Sequence, residues 1–373
     1  MDNFVNIADV CSEIFAGGDA PKSNMSATKT DKYQIPIFSN GEANNGLYGY
    51  TNFARITKPS ITVSARGTIG FVAVRNEPFV PIVRLISLTP NPEKIELKYL
   101  YYAIQNYKFD GSGTSIPQLT VPVLKKYSFP LPTKEQQFAI IDQLDNVCNL
   151  IFLRKQQLSK LDELVKSRFI ELFGDTGKQV PLTDYVWFQE GPGVRSVDFT
   201  DEGTILLTGS NINDNTISFG HKSDRHISNE LASGKYAHFM CDKDDILVVS
   251  SAIDPDKFDK KVVEVDVDKK YCLNTGIIRF KPNKQYLTLG YFREFLKTDY
   301  FKHQVSSEMR GIAQMHFGPS HLKQMTILLP DSIERQVEFE AFVQQTDKSK
   351  LAIQQSLEKL ETLKKALMQK YFG

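Results

Sequence analysis

The amino-acid sequence predicts an α+β fold in which two globular α/β-mixed domains are separated by a pair of long helices, forming an antiparallel coiled coil with pseudo-two-fold symmetry. Three observations predict it. The ending "ALMQKYFG" at 366–373 is anticipated by "SRFIELFG" at 167–174. Before each ending, residues fall on a seam spaced alternately by three and four, the signature of a helical heptad. The stretches between instead hold short alternating runs broken by glycine, which read as strands and turns. The expected boundaries are a globular domain at 1–132, a helix at 133–174, a second globular domain at 175–330 and a second helix at 331–373.

In the first domain a short apolar run around Asp9 opens the chain, and "SITVSARGTIGFVAV" reads as two strands around a glycine-marked turn. "LKYLYYAIQNYKF" reads as a short helix whose aromatic stripe faces the core. The first long helix follows, with Thr133 as N-cap and Glu135 in the first turn. Its seam is Leu144, Val147, Ile151, Arg154, Leu158, Leu161, Val165, Arg168 and Leu172. The second domain repeats the plan: Asp184 in an apolar run, strands in "KVVEVDVDKKYCLNTGIIRF", and a short helix in "LGYFREFLKTDYF". The second seam is Val343, Thr346, Lys350, Ile353, Leu357, Leu360, Lys364, Leu367 and Tyr371.

Sliding the sequence by 199 places sets Glu135 on Glu334, Gln137 on Gln336, Leu158 on Leu357, Leu161 on Leu360 and Phe173 on Phe372. A duplication explains this register. Each helix would run about 40 residues, near 60 Å at ~1.5 Å per residue, and an apolar stripe of that length needs a partner in water. The first helix delivers the chain to the second domain and the second turns back, so antiparallel pairing is expected. The alternative is two surface helices, each lying on its own domain.

Composition narrows the function. Apolar residues make up 41% and charged residues 24%, with a net charge of +1, ordinary for a globular chain, and no apolar run approaches a membrane span. "MDNFVNIADV" lacks a secretory signal, so a cytoplasmic location is expected. Cys11, Cys148, Cys241 and Cys272 are far apart and read as free thiols, not metal ligands. Residues 22–126 hold 13 Lys and Arg against 6 Asp and Glu, whereas 180–330 hold 18 against 20. The first domain can therefore present a basic surface, and the second must gather its cations locally to bind a polyanion.

No nucleotide-binding, zinc-protease or serine-hydrolase motif occurs, so no catalytic residue is expected. One pattern approaches a metal-dependent nuclease: Pro255 and Asp256, then Asp268 and Lys270 after a strand whose Val263, Val265 and Val267 are expected to face inward. Asp268 would then lie on the outer face, and a solvated hairpin tip is the preferred reading; no metal site is expected.

The order variable unit, long helix, variable unit, long helix resembles the specificity subunit of type I restriction-modification enzymes. "SIPQLTVPVLKKYSFPLPTKEQQFAIIDQLD" opens the first shared segment and "LFG" closes it, while the second keeps "LLP", "ERQ" and "YFG". The resemblance spans essentially the whole chain. It implies a non-catalytic DNA-binding subunit in which each variable unit is a target-recognition domain for one half of a bipartite, asymmetric site. The helices would set the spacer and dock two modification subunits, methyltransferases that carry S-adenosylmethionine. Restriction subunits using ATP and Mg²⁺ would join them, and the chain itself would bind no cofactor.

Base edges are read by Arg, Lys, Asn and Gln, whereas Ser, Thr and backbone amides usually hold phosphates. On that basis the first-domain candidates are Asn40, Asn44 and Asn45 in one loop, Ser64, Arg66 and Thr68 at a strand turn, and Ser112, Thr114, Ser115 and Gln118 in a third loop. Their second-domain counterparts are Ser210, Asn211 and Asn213; Ser250 and Ser251; and Arg310, Gln314 and His316. Arg66 and Arg310 lead the set. The competing readings are an adaptor with two protein-binding heads, which the near-neutral charge favours slightly, and the nuclease.

Overall fold

The computed structural model describes residues 4–107, 119–174, 177–220, 222–307 and 316–373. They fall into two compact units, 1–156 with 353–373, and 157–352. The chain thus enters unit 2 partway along the first long helix, Lys134–Leu172, and returns to unit 1 along the second, Ile333–Phe372.

Unit 1 is built on a four-stranded antiparallel sheet in the order Cys11–Ala16, Ile86–Pro90, Ser60–Val63, Val72–Arg75. The run Ser60–Val63 is buried at every position, as β-branched residues in an interior strand require. Its hydroxyls are paired: Ser60 Oγ lies 2.8 Å from Thr89 Oγ1, and Arg75 Nε donates to Thr62 Oγ1 at 3.1 Å. The helix Leu97–Gln105 buries Tyr99, Leu100, Tyr102, Ala103 and Ile104, so its aromatic stripe is core. A three-stranded sheet, Leu47–Thr51, Ile35–Phe38 and Val80–Pro81, completes the unit, the last pair parallel.

Unit 2 repeats this topology although its sequence has diverged. Its main sheet runs Val186–Glu190, Ile277–Pro282, Ile246–Val249, Val262–Glu264, and Ile246–Val249 is again buried throughout. A second sheet again ends in a parallel pair, Thr204–Leu207 with Tyr271–Leu273. Two expectations are corrected. The segment expected to form one short helix at 289–301 is two, Leu289–Phe295 and Asp299–Ser307, with Thr298 Oγ1 donating to Phe295 O at 2.7 Å across the break. The strand expected to run inward to Val267 stops at Glu264; Val263 and Val265 are buried but Val267 is 43% exposed.

The repeated residues do equivalent work in both units. Gln137 is buried, accepts from Glu96 N at 2.8 Å and donates to Lys94 O and Pro132 O at 3.2 and 3.0 Å. Gln336 is buried, accepts from Thr288 N at 3.0 Å and donates to Tyr286 O at 2.9 Å. Glu96 and Thr288 are the N-caps of the aromatic helices, so each glutamine satisfies an amide that the helix end leaves open. The repeated phenylalanine closes each unit. Phe372 lies 5.1 Å from the ring of Tyr99 in unit 1, and Phe173 lies 4.8 Å from Tyr291 in unit 2.

Both seams coincide with the less exposed faces of their helices. In unit 1 Tyr371 Oη donates to Gln143 Oε1 at 2.8 Å and Lys155 pairs with Glu361 at 3.2 Å. In unit 2 Lys350 pairs with Asp162 at 2.6 Å and Arg168 with Glu338 at 2.8 Å. In each unit a later residue of the first helix meets an earlier one of the second, so the helices run antiparallel there. Each ion pair has an exposed partner, so these pairs fix direction more than they add stability. Among the described residues no helix is long and apolar enough to cross a membrane.

Candidate nucleic-acid interface

In unit 1 the candidate residues gather where the strand Ser60–Val63 ends. Asn40 is the hub: its Oδ1 accepts from Ala65 N at 2.7 Å and its Nδ2 donates to Val83 O at 2.6 Å. Ser64 is buried, and its Oγ accepts from Gly41 N at 3.2 Å. Three loops are thereby bonded together around a cavity of about 470 Å³ lined by Ser39–Ala43, Arg66–Thr68 and Val83. Asn40, Arg66 and Thr68 are thus brought to one place, with Arg66 and Thr68 exposed. Glu42 and Val83, which sequence reasoning missed, share the lining.

Asn44 and Asn45 are exposed nearby with φ of 48° and 54°, a left-handed turn that asparagine tolerates better than most residues. Asn45 O accepts from Arg75 Nη2 at 2.8 Å. Arg75 is buried with its guanidinium carbon 3.6 Å from the centroid of Phe38, and burial pulls its pKa down to about 10. It props the asparagine turn from beneath.

The unit 2 candidates are placed differently. Asn211 is buried, and its amide is consumed: Oδ1 accepts from Thr208 N at 3.0 Å, and Nδ2 donates to Ser218 O at 3.1 Å and Asp224 Oδ1 at 2.8 Å. Ser250 is also buried, and its Oγ has no hydrogen-bond partner among the described residues. For Ser64, Asn211 and Ser250 the expectation of surface contact is corrected: all three are buried, and the side chains of Ser64 and Asn211 are bonded to loop backbone at Gly41 and Ser218. Ser210 is exposed and shares hydrogen bonds with Thr208 and Ser223 at 2.8 and 3.0 Å. Asn213 donates to Ser210 O at 2.7 Å and accepts from Lys261 Nζ at 2.6 Å. Burial holds the Lys261 ammonium below its ordinary pKa, and no sequence signal separated this lysine from its neighbours. Ser251 is half-buried and His316 exposed.

Ser112, Thr114, Ser115, Gln118, Arg310 and Gln314 lie outside the described residues. The residues that follow those two stretches meet equivalent strand ends: Leu119 N donates to Ala65 O at 3.0 Å, and Phe317 N to Ser250 O at 2.9 Å. Asp268 of the nuclease-like pattern sits on an exposed turn and accepts from Lys243 N at 3.2 Å. Among the described residues no three His, Cys, Asp or Glu side chains group so as to hold a metal ion.

The comparisons with known proteins follow the same division. The family model described as "Type I restriction modification DNA specificity domain" matches twice, at residues 3–163 and 178–364. A putative type I specificity subunit of Mycoplasma pneumoniae, S.MpnORF507P, is 34% identical over 168 residues, covering 42% of this chain and 46% of that protein. A second from the same organism, S.MpnORF89P, is 32% identical over 168 residues, covering 42% and 50%. The chain spans about half the length of these curated relatives. The solved S subunit of a type I restriction-modification system from M. genitalium superposes with a TM-score of 0.58 at 17% identity, covering 100% of this chain and 96% of that one. A second structure, described as showing complex assembly and conformational transition of the type I R-M system, gives 0.54 at 15% identity, covering 99% and 97%. These two likenesses establish a shared fold. With the family model matched once in each half of the sequence, this chain belongs to the type I restriction-modification DNA specificity family.

Proposed function

We propose that the chain is the DNA-reading subunit of a type I restriction-modification assembly, each unit reading one half of a bipartite, asymmetric site. One observation carries the reading: two units of equivalent topology present different polar loops at equivalent strand ends. A common frame with different loops suits one scaffold reading two unlike sequences. On this reading the recognition units are 1–132 and 175–330, with the helical segments 133–174 and 331–373 between and after them.

The long helices form an antiparallel coiled coil that sets the spacer. One turn of duplex spans roughly 34 Å, a length that a rod of this kind covers. The same helices dock two methyltransferase subunits. Phe138, Phe152 and Leu164 on the first helix are about half exposed, and so are Val337, Leu351 and Leu363, their equivalents at the 199-residue shift. Paired exposed apolar residues in two copies match two copies of one partner. Catalysis, S-adenosylmethionine and the ATP and Mg²⁺ of the restriction subunits belong to those partners.

The test is to produce the chain with its methyltransferase partner in cells and sequence the modified adenines. A split motif with a fixed spacer is the expected result; a continuous motif, or modification without sequence preference, would refute the reading. Arg66→Ala should then weaken DNA binding by the assembly, and unchanged affinity with an unchanged motif would remove Arg66 from the interface.

A further inference from the structure

The two units follow the same backbone path at one turn and fill it with different residues. In unit 1 Gly17 N donates to Leu85 O at 2.9 Å, Val83 N to Gly18 O at 2.7 Å and Arg84 N to Gly17 O at 2.8 Å. In unit 2 Gly191 N donates to Ile277 O at 3.0 Å and Thr275 N to Pro192 O at 2.9 Å. Both glycines lie against the turn: a Cβ would sit 2.5 Å from Pro81 O at Gly17 and 2.2 Å from Asn274 O at Gly191. The matched bonds set Val83 opposite Thr275 and Arg84 opposite Gly276.

At that last position φ is positive in both units, 80° for Gly276 and 61° for Arg84, and Val83 is also left-handed at 52°. Glycine adopts this region without strain, whereas a β-branched valine there is an outlier. Unit 2 shows that glycine satisfies the fold. Unit 1 nevertheless keeps a valine and an arginine in the strained conformation.

The turn is also held rigid beside the cavity. Asn40 donates to Val83 O at 2.6 Å while accepting from Ala65 N at 2.7 Å, so one amide couples the turn to the loop of Arg66. Val83 and Arg66 line the same cavity. Arg84 is exposed, and among the described residues its side chain makes no hydrogen bond or ion pair. Strain retained at a rigid, solvent-facing position next to a cleft marks a residue kept for binding.

We infer that Arg84 is a specificity-determining residue of unit 1, its guanidinium donating to the paired acceptors on one base edge, guanine O6 and N7, in the half-site read by that unit. The inference rests on the DNA-reading function proposed above. An oriented turn suits a base contact because the planar fork must meet two acceptors at once. A phosphate asks only for a nearby cation, which a mobile lysine supplies.

The test produces the full chain with its methyltransferase partner and sequences the modified sites for the wild type, Arg84→Gly and Arg84→Lys. Arg84→Gly should fold with a Tm at or above that of the wild type, because glycine relieves the left-handed strain. The expected result is that both variants relax one base pair in one half-site, losing roughly tenfold or more of its preference, with the other half-site and the spacer unchanged. An unchanged motif at unchanged efficiency overturns the role of Arg84 and leaves the DNA-reading function standing. A uniform fall in modification with the same motif also overturns it, because that behaviour belongs to a phosphate contact. A wild-type assembly without sequence preference overturns both.

Discussion

Unit 1 and unit 2 share a frame and differ in what the frame presents. Both place a buried strand, Ser60–Val63 or Ile246–Val249, third in a four-stranded sheet. Both clamp an aromatic helix with a buried glutamine and close it with a phenylalanine against a tyrosine. Around the strand ends the likeness stops. Unit 1 stitches three loops through Asn40 about an open cavity, whereas unit 2 spends Asn211 and Asn213 on internal bonds and engages Lys261. The difference teaches that duplication preserved the residues that build the units and freed those that face outward.

The largest losses are expected at the phenylalanines. Phe372→Ala and Phe173→Ala should each cost roughly 3–5 kcal/mol locally, the usual loss for a buried aromatic. Hydrogen exchange should rise across Leu97–Gln105 for the first and across Leu289–Phe295 for the second, the helices that hold Tyr99 and Tyr291. Exchange that rises in the wrong unit would contradict the equivalence.

The glutamines should come next. Gln137→Ala and Gln336→Ala leave buried amides and carbonyls unpaired, costing roughly 1–3 kcal/mol. Gln137 makes three such bonds and Gln336 two, so denaturant midpoints should fall further for Gln137→Ala.

The smallest effect is expected at the turn that holds Arg84 in unit 1 and Gly276 in unit 2. Gly276→Arg imports the unit 1 residue into unit 2 and should destabilise by about 1 kcal/mol through its left-handed φ, with further crowding because a Cβ there lies 3.0 Å from Ser251 Cβ. A thermal melt that shows no loss would mean the two turns are not equivalent.

The helices were legible because their signal is periodic and repeated: every seam position from Leu144 to Leu172 is buried or half-buried. The repeated Gln137, Gln336, Phe173 and Phe372 were visible as identities, but their roles as clamps depend on Tyr99, Tyr291 and helix caps distant in sequence. Among the site residues, Asn40, Arg66 and Thr68 line one cavity. Ser64, Asn211 and Ser250 did not stand apart from exposed neighbours, because residue type does not report burial. Arg84 was hidden for a different reason: its importance lies in a backbone angle, and no residue pattern announces a left-handed arginine.

The claim that the frame sets spacing while the loops set sequence is tested most directly by removing one heptad from each long helix. Deleting 151–157 and 355–361 takes out the stretches that hold the Lys155–Glu361 pair, keeps both seams in phase, and shortens each helix by about 10 Å at ~1.5 Å per residue. Sequencing of modified DNA should then show both half-sites unchanged and a spacer shorter by about three base pairs, given roughly 34 Å per ten. An unchanged spacer, or altered bases in either half-site, would contradict the account.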